Sequence, residues 1–403
     1  MTPERFIARR YLRAKHEYGF ISFIGYLGML GLALGVAALI LTFSIMRGFR
    51  NEVERKLASL DGHVRIANVA GSSATLPDSL LAAIARRPEV AGVTPFLARH
   101  ALGRNGQRSD GMLLLGMEWE QLGAALKIDD YLTAGEVPAA GQRRRIILGA
   151  KLAQSLRVVP GDRLHLFDIT YLLGKQGLRG GAYTVAGIYR SGMVEYDQQL
   201  AFVSLSDAQE LFDLPGQPAN AIITLTHKDL ADAFAARLGD DIGYPYFLTT
   251  WGERHANLFA WLSGQQMPIL IVFGFIAFVA LINILSMLSL VVIEKVRDIG
   301  ILRSIGFSRL QIRKIFLYQG GMVGLAGSVG GVALAIVLGL LQNRYHFIAL
   351  DADIYFMDYL PVLWTWQALV GIPLLALLLS LGAAIMPSRK ASAILPAEAL
   401  RYE

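Results

Sequence analysis

Residues 20–46 read FISFIGYLGMLGLALGVAALILTFSIM, a run with no Asp, Glu, Lys or Arg. A helix needs about 20 apolar residues to cross a hydrocarbon core, so this run spans with tilt. Met267 to Ile293, Ile315 to Leu341 and Tyr359 to Met386 share the property. In a chain of 403 residues that is 54 % hydrophobic, with mean hydropathy +0.44, these runs indicate a membrane protein before any soluble domain is counted. A cleaved signal peptide is the alternative for the first run. Its apolar stretch is about twice a normal h-region and no A-x-A site precedes Arg47, so it reads as a retained anchor.

Cations near span ends mark the cytoplasmic side. Residues 1–19 carry Arg5, Arg9, Arg10, Arg13 and Lys15 against Glu4 and Glu17. Residues 294–314 carry Lys295, Arg297, Arg303, Arg309, Arg313 and Lys314 against Glu294 and Asp298. The tail, 387–403, has Arg389, Lys390 and Arg401 against Glu398 and Glu403, whereas 342–358 has Arg344 against three aspartates. These imbalances account for the whole net charge of +6, leaving residues 47–266 with 23 cations and 23 anions. The charge therefore reports topology. It predicts both termini in the cytoplasm, a large outer domain at 47–266 and a small outer loop at 342–358. No single soluble region is basic, which argues against nucleic acid as a partner. The absence of cysteine removes disulfides and thiolate metal sites.

Thr2-Pro3-Glu4 opens a short basic helix that reads either as lying on the inner membrane surface or as a solvated flank. Gly25, Gly28, Gly31 and Gly35 in the first span, and Gly320, Gly324, Gly327 and Gly331 in the third, recur at helical spacing. Small residues on one face let membrane helices approach closely, so these two spans are expected neighbours. The outer domain reads as mixed α and β. Strands are expected at 63–69, 145–148, 163–167, 183–189 and 221–226, helices at 76–87, 150–156 and 230–238, and a hairpin over 92–117. The expected division is an outer lobe of 47–135 and 217–266 with an inserted lobe, 136–216. Thr250 to Gln266 is expected to form a helix continuous with the second span.

The chain has no G-x-x-x-x-G-K-[ST] loop, H-E-x-x-H or G-x-S-x-G, and its histidines lack metal-ligand spacing. No catalytic residue and no metal or cofactor site is expected. The span interiors carry no ionisable side chain of the kind that ion-coupled carriers use. Energy is therefore expected from a cytoplasmic partner. Between the second and third spans lies EKVRDIGILRSIGFSRLQIRKIFLYQ, residues 294–319. Ile299, Ile301, Leu302 and Ile305 form an apolar face, Gly306 ends the turn, and Ser308 caps the next helix. Such a helix can dock on an ATPase; the alternative is an interfacial helix on anionic lipid. At the outer ends of the first two spans, Phe43, Met46 and Phe49 are expected to face Met267, Leu270 and Phe273. Such side chains suit adaptable binding of acyl chains, as they also suit ordinary lipid-facing surface.

ARRYLRAK at residues 8–15, EKVRDIGILRSIGFSRLQI from Glu294, DADIYFMDYLP at 351–361 and PSRKASAILPAEALRYE at 387–403 together resemble the LolC/LolE group of lipoprotein-releasing ABC permeases, within the FtsX-like and MacB-like superfamily. The DIGILR motif is shared across the superfamily, and the last two segments are the more telling. The resemblance implies four transmembrane helices with a MacB-like periplasmic core between the first and second, in a bacterial inner membrane. It implies a separate LolD-like ATPase that holds ATP and Mg, and a second permease or a second copy of this chain. An acylated lipoprotein would be the substrate and a LolA-like periplasmic carrier its acceptor. By position, Arg297, Asp298, Ile299, Ile301, Leu302, Arg303, Ser304 and Gly306 would form the coupling helix. Leu172, Leu173, Gly174, Lys175, Gln176, Gly177, Leu178 and Arg179 would form a carrier-binding hook, with a flexible hairpin as the alternative. An FtsX-like regulator of a periplasmic hydrolase, or a MacB-like efflux permease, are the competing readings.

Overall fold

The computed structural model describes residues 3–13, 19–69, 75–169, 179–214, 216, 218–351, 355 and 357–394. Two compact units emerge: Met1–Arg50, Leu262–Ile348 and Leu360–Glu403 in one, and Asn51–Trp261 with Ala349–Tyr359 in the other. Helix α1 (Pro3–Arg13) is followed by α2 (Gly19–Asp61), which carries the first apolar run and continues well past Met46. Gly62, at φ +73°, stops it, and a Cβ there would collide with Ile222.

The second unit has two cores. In the first, β1 (Val64–Asn68), α3 (Asp78–Ala85) and the start of β2 (Val90–Asn105) join elements from the far end of the domain. Along the chain come β3 (Arg108–Gly116), α4 (Trp119–Leu126), β4 (Leu132–Gly135), β5 (Arg145–Gly149), α5 (Ala150–Leu156), β6 (Arg163–Asp168) and β7 (Gly180–Tyr189). Then follow α6 (Val194–Gln199), β8 (Leu200–Val203), α7 (Leu205–Phe212), β9 (Asn220–Leu225), α8 (Ala231–Ile242), β10 (Tyr246–Thr250), α9 (Trp251–Arg254) and α10 (Ala256–Gly264). Strands pair in the order β10-β1-β9-β2, and Val64, Ile66, Ile84, Ile223, Phe234 and Leu238 fill this core.

The second core lies inside a closed ring of strands. β2 pairs with β3, β3 with β8, β8 with β5, β5 with β7, β7 with β6, and β6 returns to β2. Alternate residues point inward, as period two requires: Met112 and Leu114, Ile146 and Leu148, Leu164 and Leu166, Tyr183 and Val185, Ala201 and Val203. This barrel differs from the expected inserted lobe. It recruits Leu97, Ala101, Met112 and Leu114 from the β2–β3 hairpin, so it begins well before residue 136. The sixteen-residue β2 explains the difference, because its first half pairs with β9 and its second half with β3 and β6.

The helix expected over 250–266 is interrupted. The break is at His255 (φ −109°, ψ 24°), just after α9; α10 and α11 (Gln266–Glu294), which carries the second apolar run, are joined through Gln265 in helical geometry, so 256–294 runs on into the second span as expected. α12 (Val296–Ser304) and α13 (Arg309–Tyr345) follow. The fourth run becomes helical only at its π-turn, Gln367–Gly371, and continues as α14 (Ile372–Ala393). Its expected start at Tyr359 is wrong because that stretch is held extended. The Asn343 side chain donates to Val362 O at 2.9 Å and accepts from Val362 N at 3.0 Å, while Gln342 binds the carbonyls of Ile348 and Leu360. Pro361 O packs on Gly48, where any Cβ would collide with it.

α2, α11, α13 and α14 are each long and apolar enough to cross a membrane. α13 is the centre of their packing. Gly320 abuts Ala384 and Gly324 abuts Ser380 of α14, while Gly327 and Gly331 abut Leu32 and Val36 of α2. Ser380 Oγ donates to Gly320 O at 2.7 Å. The glycine rows of the first and third spans do not face each other, however. Gly28, Gly31 and Gly35 of α2 lie nearest Met287, Asn283 and Ile276 of α11.

In the second unit, one buried carboxylate ties the end of α2 to the start of α10. Asp61 accepts from Arg65 at 2.5 Å, Arg254 at 2.7 Å and His255 at 2.9 Å, and Arg254 also donates to Asp61 O. Burial pushes the Asp61 pKa up, but the His255 hydrogen bond and the charges of Arg65 and Arg254 outweigh it and hold the carboxyl well below its usual range. Its stabilising effect is therefore present above about pH 4 and is lost as pH falls toward the depressed folded value. Asp61→Asn leaves two arginines buried without their counter-charge and should destabilise the domain by about 3–5 kcal/mol. Denaturant unfolding of the full chain in detergent, followed by tryptophan fluorescence, measures this. The wild type should also lose stability in acid in excess of the variant, and equal acid sensitivity would count against the assignment.

Candidate functional site

Two surfaces in the first unit gather sequence-predicted residues. The first is built on α12. Lys295 leaves helical geometry on one side (φ −94°, ψ 13°) and Gly306 on the other (φ +106°), which cuts the helix to nine residues. Ile299 is buried with Ala8, Val291, Val292, Ile312, Ile315, Phe316 and Ala391, and Leu302 packs against this cluster. Arg303 donates to Ser392 O at 3.2 Å, and Lys295 pairs with Asp298 at 3.2 Å. Ser308 and Gln311 form a reciprocal capping box that starts α13.

The expected apolar face of this segment therefore divides. Ile299 and Leu302 hold the helix down, whereas Ile301 is 42 % exposed and Ile305 72 %. Arg297, Ser304 and Gly306 are also exposed, as are Arg309 and Leu310. Arg297, Ile301, Ser304 and Ile305 fall at helical spacing, so one outward stripe combines a cation with exposed aliphatic side chains. Leu310 extends it and carried no local signal in the sequence, since it sits past the glycine break.

The second surface is an apolar cleft. Phe43, Met46, Phe49 and Leu270 line one groove together with Thr42, Arg47, Arg50, Leu262 and Ile269. Phe43 and Leu270 continue into a second cleft with Phe273, and the Phe43 and Phe273 rings stack at 6.4 Å between centroids. Five of the six residues expected to contact acyl chains thus converge. Met267 lines neither groove and is 68 % exposed.

Sequence reasoning overlooked the third wall. Ile372, Leu375, Ala376 and Leu379 of α14 close the second cleft opposite Leu32 and Val36 of α2 and Ala280 and Ile284 of α11. Their spacing of three and four residues is a helix face, but an apolar face inside a span carries no contrast with its surroundings. Two glycines, Gly35 and Gly274, and three alanines, Ala277, Ala280 and Ala376, on the walls leave the space that larger side chains would fill.

Of the segment 172–179, only Arg179 belongs to the described residues. It pairs with Asp213 at 2.7 Å. The strands on either side, β6 and β7, are antiparallel partners, with Phe167 opposite Gly180.

Family models match along the chain in the order the fold suggests: a MacB-like periplasmic core domain over residues 27–240 and an FtsX-like permease C-terminal domain over 270–396. The chain is 31 % identical to the lipoprotein-releasing system transmembrane protein LolC of Xylella fastidiosa, across 98 % of both chains. It is 27 % identical to the corresponding LolE protein of Haemophilus influenzae, across 99 % of both. Among solved structures, the periplasmic region of MacB from Actinobacillus actinomycetemcomitans matches at 12 % identity and a TM-score of 0.35, covering 52 % of this chain and 97 % of that one. The two domain matches and the full-length similarity establish that this multi-pass inner-membrane chain, with four transmembrane helices and a MacB-like periplasmic domain, belongs to the LolC/LolE-type permeases of the FtsX-like and MacB-like family.

Proposed function

We propose that this chain is the permease subunit of a lipoprotein-releasing complex, extracting acylated lipoproteins from the inner membrane and passing them to a periplasmic carrier. The observation that carries the reading is its similarity over the full length to proteins named for lipoprotein release, both LolC and LolE. The apolar cleft of α2, α11 and α14 supports it on physical grounds. Each buried CH₂ is worth about 0.8 kcal/mol, so lifting one long acyl chain into water costs on the order of 10 kcal/mol. Release therefore needs an apolar surface for the chains and an external source of energy.

In this reading Phe43, Met46, Phe49, Leu270 and Phe273 receive the chains, joined by the α14 wall. The energy comes from a separate LolD-like ATPase, which holds ATP and Mg. Its docking surface is the outward stripe of Arg297, Ile301, Ser304 and Ile305, with Leu310 beyond it, and Ile299 and Leu302 anchor that stripe to α11 and α13. Both termini lie in the cytoplasm in this reading, on the side of this stripe, which the excess of cations at 1–19, 294–314 and 387–403 supports. A second permease, or a second copy of this chain, completes the transmembrane part. The segment 172–179 is the candidate contact for a LolA-like carrier.

Purification from native membranes in mild detergent tests the assembly. Recovery of a P-loop ATPase together with triacylated lipoprotein is expected; an ATPase recovered with a cell-wall hydrolase and no lipoprotein would replace this reading with the regulator one. Met46→Glu and Leu270→Glu each place a charge in the acyl path and should reduce lipoprotein release at least tenfold while the complex still assembles. Unchanged release in both would contradict the cleft assignment. Ile301→Asp with Ile305→Asp should strip the ATPase from the purified complex without unfolding the chain, as both side chains lie outside the core. Full retention of the ATPase would remove this stripe from the interface.

A further inference from the structure

A third groove runs along α13 beside α1. Tyr318, Gly321, Met322 and Leu325 form one stripe of that helix, at helical spacing, and Leu381 of α14 supplies the opposite wall. Gly321 leaves the floor of the groove without a side chain. Leu325 is 56 % exposed, so the groove opens outward rather than into the packed core. From Tyr318 to Leu325 the stripe runs roughly 10 Å along the helix, enough to cover several methylenes of an extended chain.

One end of this apolar groove is cationic. Arg5 of α1 lines it, and the guanidinium carbon lies 5.2 Å from the centroid of the Tyr318 ring. α1 is fixed there by Ala8, which is fully buried in the cluster around Phe316. Stacking over an aromatic face leaves the in-plane N–H groups of a guanidinium pointing outward, in the fork that matches a phosphate. Arg10 is also exposed on α1, and the first nineteen residues carry five cations against two acids.

We propose that this groove binds an anionic phospholipid, with an acyl chain along Tyr318, Gly321 and Leu325 and the headgroup phosphate on Arg5. Charge complementarity selects the occupant: a lipid chain fits an apolar trough inside a span, and an anionic headgroup answers Arg5 at its end and the net positive charge of residues 1–19. The lipid ties α1 to α13, adding a membrane-dependent bond to the contact made by Ala8. The inference needs the helices to span a bilayer and does not depend on lipoprotein release.

Native mass spectrometry of the full chain, equilibrated in micelles with equal phosphatidylglycerol and phosphatidylcholine, tests it without ATPase or substrate. The wild type should retain phosphatidylglycerol in preference. Arg5→Gln should reduce that preference roughly five-fold, the value of one cation at an anionic surface, and Arg5→Lys should largely keep it. Leu325→Trp, which fills the groove from its open wall, should reduce retention of both lipids with the melting temperature unchanged. Equal retention of the two lipids by the wild type, or an unaltered preference in Arg5→Gln, overturns the proposal. So does unaltered retention in Leu325→Trp. Absence of any retained lipid would assign the groove to a protein helix and overturn it as well.

Discussion

Close approach of α13 to its neighbours is the constraint on which the membrane unit depends. Between helices in a hydrocarbon medium, burying leucine gains nothing, because lipid tails are as apolar as the side chain they replace. What remains is dispersion between closely packed backbones and a few interhelical hydrogen bonds. Gly320 and Gly324 admit α14, Gly327 and Gly331 admit α2, and the Ser380 hydroxyl reaches a backbone carbonyl across the first of these contacts. A Cβ at Gly331 would lie 2.7 Å from the Ala33 carbonyl oxygen. With α13 so placed, α2, α11 and α14 leave an apolar cleft between them, and α12 is held at the end of α11 by the cluster around Ile299.

The outer unit solves a different problem, in water and without disulfides. It divides its apolar residues between a sheet packed with helices and a closed barrel, and it runs one strand through both. A barrel has no open edge to satisfy, which suits a lobe whose core is formed from short strands. The Asp61 cluster closes the domain at the place where two distant parts of the chain meet. Three side-chain donors around one carboxylate give that junction a fixed geometry, at the cost of sensitivity to any change that leaves its arginines unpaired.

The features legible in the sequence are those with local signatures. Charge-free runs identified the spans, Ser308 and Gly306 marked the boundaries of the coupling segment, and alternation located β1, β5, β6, β7 and β9. Features set by distant partners were not legible. β8 is four residues long, and only pairing with β3 and β5 makes it a strand. β2 shows nothing in its composition to mark where one lobe gives way to the other. Asp61 meets Arg254 and His255 across more than 190 positions of chain, and a charged residue just past a span reads as ordinary flank. The glycine rows announced close packing but not which helix each would meet. Ile299 and Ile305 appeared equivalent because a short amphipathic run does not reveal which of its apolar residues face the protein.

The central claim is that acyl chains occupy the cleft of α2, α11 and α14. A photo-crosslinking amino acid at Leu375, on the cleft wall that no sequence pattern singled out, addresses it directly in membranes containing the assembled complex. The account predicts crosslinks to triacylated lipoprotein, lost when the lipoprotein lacks its acyl chains. Crosslinks indifferent to acylation, or none to lipoprotein at all, would contradict it.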